Sequence, residues 1–345
     1  MAKRSGMSIS MKQLAENLGF STGTVSLVLS GKGEDMRISR ATQETILGEA
    51  EKYGFQREKK HIRRDGKRYT VYFFCPFSQS TKVVNGRSVY GLHQAILEEN
   101  LPVDVVIQPY YVGKLEKKKM LFSNQYCDGI IISGLFENDM DFLLHNSFDV
   151  PIVLFNRPNE RYSSVYVDNY EAGKKVSYVF AKRGWRNVGL LQAYQKSKAA
   201  TLLMMGFLDG CEEYGIAVKP ENILETHSDM AGGQAVGQKM LNEGLPEALF
   251  IINPGALTGF LSVMSKHRIK VPGQLEIITY GDENLGKELY PSQTMLHMPI
   301  ESIMSACLKM LLRKICSLEE DHMPTMQVVP VHFSFQDSCP EVEGI

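Results

Sequence analysis

Short apolar runs alternate with amphipathic stretches along most of this chain, from Tyr69 onward. Most of the runs are continuously apolar, which is typical of parallel strands covered by helices on both faces. Stretches of helical length lie between the runs, so right-handed βαβ units are expected. The pattern predicts an α/β protein built on doubly wound parallel sheets. The predicted strands are 71–74, 103–107, 129–132, 152–155, 188–191, 249–252 and 276–280, and the helical stretches include 88–99, 170–182, 201–214 and 300–314.

The predicted strands are too many for one small sheet, and the pattern is interrupted near residues 165–169. This interruption predicts two lobes with a cleft between them. In folds of this kind ligands bind at the carboxyl ends of the strands. A small-molecule site is therefore expected in the cleft.

A different pattern precedes the sheets, because residues 10–53 contain three short helical stretches. Ser10 and Gln13 have the spacing of a capping box at a helix start. Gly19 stands where a helix often needs a residue with positive φ, and Ser21 can cap a second helix two residues later. The arrangement predicts a helix, a tight turn and a second helix.

Apolar residues on one side of the second helix leave its first residues facing outward. Val25, Val28 and Leu29 share the apolar stripe, and the residues left outside it are Thr22, Gly23, Ser26 and Leu27. Ser39 can cap a third helix, in which Ile46, Ala50 and Tyr53 close a three-helix core. Two interpretations remain open at this point, a DNA-binding helix-turn-helix head and an ordinary small helical bundle.

Charge favours DNA binding. Residues 1–68 contain fourteen Lys or Arg and eight Asp or Glu, a net charge of +6, whereas the whole chain carries −1, which leaves −7 for residues 69–345. Seven of the basic residues fall within 57–68, directly after the third helix. Such a segment suits contact with DNA phosphates, although a basic run is also common in a solvated linker.

Several other classes of protein are disfavoured. The chain has no apolar stretch of eighteen residues and no apolar signal sequence, so we expect a cytoplasmic protein without a membrane partner. Its six cysteines are scattered singly, without zinc-site spacing, and we expect no metal and no cofactor. Phosphate-binding loops, nucleophile elbows and dinucleotide fingerprints are missing, so no enzyme activity and no catalytic residue is predicted.

Nearly the whole chain resembles the lactose/galactose repressor (LacI/GalR) family of bacterial transcription regulators. The order and spacing of its short motifs carry the resemblance: Leu14-Ala15, Thr24-Val25-Ser26, Val167-Asp168-Asn169, Gly173, Arg183-Gly184-Trp185-Arg186, Gly206-Phe207, Asn253, Val271-Pro272, Tyr280, Pro291 and Thr294. The resemblance implies a homodimer whose heads read half-sites of a pseudo-palindromic double-stranded operator, and a core similar to periplasmic sugar-binding proteins.

The resemblance also implies domain bounds and functional residues. We expect a head at 1–56, a basic hinge at 57–68 and an effector and dimerisation domain at 69–345, with lobe 1 at about 69–166 and 298–327 and lobe 2 at about 167–297 and 328–345. The expected DNA-binding residues are Ser10, Lys12, Ser21, Thr22, Gly23, Thr24, Ser26, Leu27, Ser39, Ile62, Arg63 and Arg64. The expected effector-binding residues are Phe77, Ser78, Asn156, Leu203, His227, Asn253, Gly281 and Met298.

The chain departs from the family pattern in the DNA-binding region and in the ligand cleft. Leu27 takes a position usually held by Arg, so an Arg fork to guanine is missing, and Leu27 either touches a thymine methyl group or packs inward. In the hinge, the position of the leucine that usually wedges into the minor groove falls on Arg64, with Ile62 the nearest apolar residue. The operator and its bending are therefore expected to be unusual.

In the cleft, Leu203 replaces a family Arg, and Gly281 replaces a family Asp that Asp282 fills only by a slip of one residue. Losing a guanidinium and a carboxylate disfavours an ordinary sugar and suits a hydrophobic or weakly polar ligand. Asn156 and Asn253 either contact a ligand or bond neighbouring loops, and Arg157 reaches an anionic ligand or forms a surface ion pair.

We therefore expect a DNA-binding transcription regulator that acts as a repressor and is controlled by a small molecule in the cleft. Two alternatives stay open. In one, the cleft is vestigial and control lies with a protein partner or with the abundance of the regulator. In the other, a small-molecule-binding protein carries the helical extension and has no specific DNA binding, which the +6 charge of the head disfavours.

Overall fold

The structure is a computed structural model that describes residues 11–29, 33, 36–52, 68–77, 81–194, 197–316, 323–342 and 344. It divides into two compact units, Met1–His61 and Ile62–Ile345. The first unit is the head and the second is the two-lobed core, and each is described by itself.

The head contains three helices: α1 (Met11–Leu18), α2 (Thr22–Leu29) and α3 (Arg40–Lys52). Gly19 follows α1 with φ = 70°, which only glycine adopts without a steric penalty, so the chain turns sharply toward α2. Ser21 caps α2, since its Oγ accepts a hydrogen bond of 3.0 Å from the backbone N–H of Thr24. The small apolar core of the three helices consists of Leu14, Ala15, Val25, Val28, Ile46 and Ala50.

The core is an α/β structure, as the alternating pattern predicts. Its strands are β1 (Tyr69–Pro76), β2 (Val103–Tyr110), β3 (Gly129–Ile132), β4 (Ile152–Phe155), β5 (Ser163–Tyr166), β6 (Asn187–Ala193), β7 (Ala217–Thr226), β8 (Ala248–Ile251), β9 (Glu276–Gly281), β10 (Thr294–His297), β11 (Met326–Val328) and β12 (His332–Ser334). Its α-helices are α4 (Lys82–Glu98), α5 (Glu137–Leu144), α6 (Asn169–Arg183), α7 (Lys198–Glu213), α8 (Met230–Glu243), α9 (Leu257–Lys266), α10 (Glu283–Glu288) and α11 (Ile300–Cys316).

The strands form two six-stranded sheets. Lobe 1 holds the order β11-β5-β4-β3-β1-β2, with all described pairs parallel, and lobe 2 holds β12-β10-β9-β8-β6-β7, in which β12 alone is antiparallel to its neighbour. The chain passes between the lobes three times, after β5, β10 and β11. One apolar cluster runs through both lobes, and each sheet has a second cluster on its other face.

Two buried strands carry polar residues that hid them from the apolar pattern. In β5, Ser163 is buried and its Oγ accepts a hydrogen bond of 3.0 Å from the backbone N–H of Thr325. In β10, the Thr294 hydroxyl donates to the carbonyl of Cys339 at 2.7 Å and accepts from the backbone N–H of Gln336 at 2.8 Å. Buried polar groups are tolerated there because distant segments of the chain satisfy them.

Helices α6 and α7 approach each other closely because glycines face the partner backbone. A Cβ on Gly206 would lie 1.9 Å from the carbonyl oxygen of Tyr170, and a Cβ on Gly173 would lie 2.1 Å from that of Leu203. Any side chain at either position would push the helices apart. The close approach encloses Leu203 completely between the helices and the sheet.

A buried charged cluster closes the amino end of the lobe 2 sheet. The Glu276 carboxylate, 3 % exposed, is paired through both oxygens with the Arg183 guanidinium, and the Arg183 Nε–Glu276 Oε2 distance is 3.0 Å. The indole N–H of Trp185 donates to the same carboxylate at 2.8 Å, and the Cys339 thiol donates to it at 3.3 Å. The hydrogen bonds that Arg183 donates to Glu276 raise the pKa of Arg183 above its ordinary value. Each partner therefore compensates for the desolvation of the carboxylate.

All six cysteines lie in the described part of the chain, and none forms a disulfide. Within the described ranges no helix is both long and apolar enough to cross a membrane.

Candidate nucleic-acid interface and ligand cleft

The outward surface of α2 is small and polar. Thr22 and Gly23 are exposed, and the Thr24 hydroxyl lies 2.8 Å from the Ser21 hydroxyl. Ser26 and Leu27 are half-buried, so Leu27 neither projects fully nor lies in the core. The helix has no charged and no amide side chain. It therefore presents hydroxyl and methyl groups to a partner and lacks the forked donors that read guanine.

The start of α3 adds a basic feature that the pattern of apolar residues did not indicate. Ser39 is exposed and caps the helix, accepting a hydrogen bond of 3.2 Å from the backbone N–H of Thr42. Arg37, with φ = 55°, and Arg40 are exposed on either side of it. A helix N-terminus flanked by two guanidinium groups suits a phosphate. The signal that could have found them was the spacing of two arginines around a predicted cap.

Several residues expected to function lie outside the described residues. They are Ser10 of the first cap, the hinge residues Ile62, Arg63 and Arg64, and Ser78 after β1. The side chain of Lys12 is likewise outside them. For these positions the expectations from sequence stay predictions.

Exposed aromatic residues follow the carboxyl ends of strands in both lobes. In lobe 1, Phe77 after β1 and Tyr111 after β2 are exposed, with their ring centroids 6.4 Å apart and their planes nearly perpendicular. In lobe 2, Tyr194 after β6 and His227 after β7 are exposed, with their ring centroids 5.1 Å apart. Tyr111 and Tyr194 were not anticipated, although an aromatic residue directly after a strand was the available signal. Both pairs of rings thus lie after the carboxyl ends of parallel strands, where a ligand cleft is expected.

Asn156 and Asn253 make hydrogen bonds within the protein. Asn156 has φ = 49°, and its Oδ1 accepts from the backbone N–H of Val167 at 3.1 Å and from Asn169 Nδ2 at 3.4 Å. Tyr280 donates to Asn169 Oδ1 at 3.2 Å, so this network ties the first connection between the lobes to β9. Asn253 is buried, and its Nδ2 donates to the His227 carbonyl at 3.3 Å. Both amides therefore bond neighbouring loops, and their contact with a ligand stays a prediction.

The two positions where the family pattern has charged ligand-binding groups provide none. Leu203 is fully buried and offers no surface to the cleft, because α6 and α7 enclose it. Gly281 ends β9, and a Cβ on it would lie 3.4 Å from Pro254 Cβ. Met298 is half-buried, and its backbone N–H donates to the Gly281 carbonyl at 2.9 Å.

Asp282 is engaged elsewhere. It caps α10 by accepting a hydrogen bond of 3.1 Å from the backbone N–H of Asn284, and its carboxylate lies 3.7 Å from the Arg87 guanidinium. Arg87, on α4 of lobe 1, also donates to both oxygens of Glu301 at 2.6 Å and to the Met298 carbonyl at 3.3 Å. This guanidinium therefore joins lobe 1, the second connection and the end of a lobe 2 strand.

Arg157 follows Asn156 at the carboxyl end of β4. Its Nη2 donates to Glu137 Oε1 at 2.9 Å, yet the two side chains are very unequally exposed, 8 % for Arg157 and 76 % for Glu137. The ion pair expected as one alternative for Arg157 is therefore present, with Glu137 at the surface and Arg157 buried. The hydrogen bond from Arg157, with smaller contributions from the charges of Arg157 and Lys198, lowers the pKa of Glu137 although desolvation opposes the shift. Lys198 begins α7 in the other lobe.

The chain is similar to known transcription regulators along most of its length. Residues 179–339 match the family of periplasmic binding protein-like domains. The chain is similar to the sucrose operon repressor of Klebsiella pneumoniae, at 23 % identity over 292 residues, which are 80 % of this chain and 83 % of that protein. It is also similar to the HTH-type transcriptional repressor PurR of Pectobacterium carotovorum, at 22 % identity over 331 residues, 93 % of this chain and 94 % of that protein. A crystal structure of a LacI family transcription regulator from Clostridium acetobutylicum superposes with a TM-score of 0.73 and 27 % identity, covering 78 % of this chain and all of the other.

Proposed function

Because this chain belongs to the LacI family of transcription regulators, we propose that it is a sequence-specific DNA-binding regulator that represses transcription. The observation that carries the proposal is the combination, in one chain, of a capped three-helix head and a two-lobed parallel core. The head supplies the contact with DNA and the core supplies its control. A ligand in the cleft changes the DNA affinity only as far as it binds two arrangements of the lobes unequally.

The operator is read by small groups. Thr22, Gly23 and Ser26 bring hydroxyls and a bare backbone to the base edges, and Leu27 is the largest apolar side chain among these expected contacts. Such a surface favours thymine methyl groups over guanine in the major groove. Phosphate contacts from Arg37, Arg40 and the basic segment 57–68 then supply much of the affinity, which falls steeply with salt.

The working unit is a homodimer that binds a pseudo-palindrome. Lobe 1 has an exposed apolar stripe on α4, made of Val83, Tyr90 and Leu97 at intervals of seven residues. Val106 and Ile107 are exposed on the neighbouring edge strand β2. A patch of this kind on α4 and β2 suits a second copy of the chain. We expect Leu97→Glu to produce monomers in sedimentation analysis, while Met120→Glu, at another exposed apolar residue, leaves the dimer intact.

An ordinary sugar is not the effector. Leu203 is enclosed, Gly281 has no side chain, and Asp282 is held by Arg87, so these positions lack the guanidinium and the carboxylate that hold a polyol in the family pattern. The aromatic rings after β1, β2, β6 and β7 contact a ligand body with apolar faces instead.

The test is selection of bound fragments of the source genome by the full-length protein at near-physiological salt. We expect an inverted repeat whose half-sites are rich in thymine and adjacent to the regulated genes. A variant with Thr22→Asp, which places a negative charge on the exposed start of α2, serves as the matched control and should recover no motif. Enrichment of no symmetric motif by the unchanged protein would overturn the proposal.

A further inference from the structure

The guanidinium of Arg157 is poorly compensated for a group so far from water. Its side chain is 8 % exposed, and within the described part of the chain it makes a single side-chain hydrogen bond, from Nη2 to Glu137. A guanidinium has five N–H donors, and a buried charge is costly unless several groups compensate it. Arg183 shows the contrast, since it holds both oxygens of one buried carboxylate. Arg157 has unused donor capacity at the cleft end of β4.

The carboxylate that pairs with Arg157 belongs to an exposed side chain that can turn away into solvent. Glu137 is the first residue of α5, and its side chain is 76 % exposed. Among the described residues, its carboxylate makes no other hydrogen bond. Water replaces the guanidinium around such a group at little cost, because the carboxylate is already mostly hydrated.

A cation of the opposite lobe also acts on Glu137. Lys198 is the first residue of α7, directly after Ser197, which caps that helix by accepting from the backbone N–H of Ala200 at 3.2 Å. Its charge lowers the pKa of Glu137, with the hydrogen bond from Arg157 as the larger cause, so Lys198 and Arg157 act on the same carboxylate. Glu137 is thus in contact with Arg157 of its own lobe and is influenced by the charge of Lys198 of the other lobe.

We propose that this point of the cleft binds the oxyanion group, carboxylate or phosphoryl, of a small metabolite, and that Glu137 occupies its place in the ligand-free chain. The ligand's oxyanion pairs with Arg157 and Lys198, Glu137 turns into solvent, and the exposed aromatic rings cover the remainder of the ligand. The inference rests on the cleft of the proposed function and names the class of its effector. It also accounts for Gly281, since no carboxylate stands at that position to repel an anion.

Binding of this kind also links the lobes. Arg157 lies in lobe 1 and Lys198 in lobe 2, so an anion held by both favours the arrangement in which they are closest. The ligand must displace the Arg157–Glu137 contact within lobe 1, which lowers the net gain from its binding. Removing the Glu137 charge therefore strengthens anion binding, whereas removing either cation weakens it.

The experiment measures binding of inorganic phosphate and of malonate to the full-length protein by calorimetry and by melting shift, at constant ionic strength set with chloride. The two probes distinguish a phosphoryl from a carboxylate preference. The variants are Glu137→Gln, Arg157→Gln and Lys198→Gln, and the matched controls are Glu160→Gln and Lys219→Gln, at exposed positions in lobes 1 and 2.

We expect Glu137→Gln to bind at least one probe about fivefold more tightly than the unchanged protein, and Arg157→Gln to bind it about tenfold more weakly. Lys198→Gln, which is exposed and leaves the fold intact, should weaken binding about threefold, so the test does not depend on the stability of Arg157→Gln. The controls should match the unchanged protein. Responses to phosphate and malonate that equal the response to chloride, in the unchanged protein and in Glu137→Gln, would overturn the proposal.

Operator binding of the same proteins is measured separately. Anion binding that follows the expected order without any operator binding would contradict the proposed function and support the anion site. Operator binding without any anion response would contradict the anion site alone.

Discussion

Two Arg–Glu pairs at opposite ends of the parallel sheets differ in which partner is buried. At the amino end of the lobe 2 sheet, Glu276 is 3 % exposed and receives hydrogen bonds from Arg183, Trp185 and Cys339. At the carboxyl end of β4, Arg157 is 8 % exposed and Glu137, its partner, is 76 % exposed. The difference between the pairs indicates that the role of an ion pair depends on whether its buried member has its full set of hydrogen-bond partners. A buried and fully bonded carboxylate stabilises the fold, whereas a buried guanidinium with one exposed partner retains donors for another anion.

The largest expected effect separates the two glutamates. Glu276→Ala leaves the Arg183 charge and the Trp185 N–H without their partner, and should lower the free energy of unfolding by about 3–5 kcal/mol. Glu137→Ala, at an exposed carboxylate, should change it by less than about 0.5 kcal/mol. Urea unfolding followed by the fluorescence of Trp185, the single tryptophan of the chain, measures both. Equal losses for the two variants would remove the distinction between the pairs.

A third pair should give an intermediate effect. Arg87 is 14 % exposed and binds Glu301 through both oxygens, but it also reaches Asp282 across the lobes. Arg87→Gln should cost about 1–3 kcal/mol through the lost charged hydrogen bonds, and should broaden the range of lobe arrangements seen by small-angle X-ray scattering. Arg313→Gln, at an exposed position of α11, provides the control. An unchanged scattering profile would show that Arg87 stabilises lobe 1 without linking the lobes.

The next effect has the opposite sign. Arg157→Leu replaces a poorly compensated guanidinium by an apolar side chain and leaves Glu137 in water, so it should raise the free energy of unfolding by about 1 kcal/mol while abolishing anion binding. Arg183→Leu, by contrast, leaves the buried Glu276 carboxylate without its cation and should lower the free energy of unfolding. Urea unfolding of the two variants, side by side, tests the difference. A loss of stability in both would mean that Arg157 is a structural residue.

The smallest effect is a dependence on pH beside Arg87. Burial, and next the positive charge of Arg87, lower the pKa of His297 below its ordinary value. Between that lowered pKa and about 6.5, the unfolded chain holds a proton at His297 that the folded chain lacks, so stability rises with pH through this window and is constant above it. His297→Gln should flatten the rise, which is expected to be below about 1 kcal/mol, in urea unfolding at a series of pH values. A slope that persists unchanged in the variant would assign it to another group.

The architecture was largely predictable because most strands are continuous apolar runs in the sequence. Ile152–Phe155 and Gly129–Ile132 are buried throughout, and their sequences contain no polar side chain. Strands β5 and β10 were missed, because their serine and threonine side chains are satisfied by the C-terminal segment near Thr325 and Gln336. Such compensation is a property of the folded chain and leaves no local pattern.

The candidate site was predictable in position more than in detail. The carboxyl ends of the strands were expected to hold the ligand, and Phe77 and His227 are exposed there. The enclosure of Leu203 was not foreseen, because it depends on Gly173 and Gly206 allowing two helices to touch. The burial of Arg157 was missed for a similar reason. How much of its guanidinium is buried depends on the packing of neighbouring elements, which the local sequence does not show.

The three connections between the lobes have a consequence for synthesis on the ribosome. Lobe 1 begins with β1 but also requires α11 and β11, the last of which ends at Val328. The five parallel strands of lobe 2 are complete once His297 has emerged. Lobe 1, which is translated first, is therefore completed only after the five parallel strands of lobe 2. The newly made β1–β5 sheet must wait, with the face that α11 will cover still open to chaperones, until the central lobe has had time to fold.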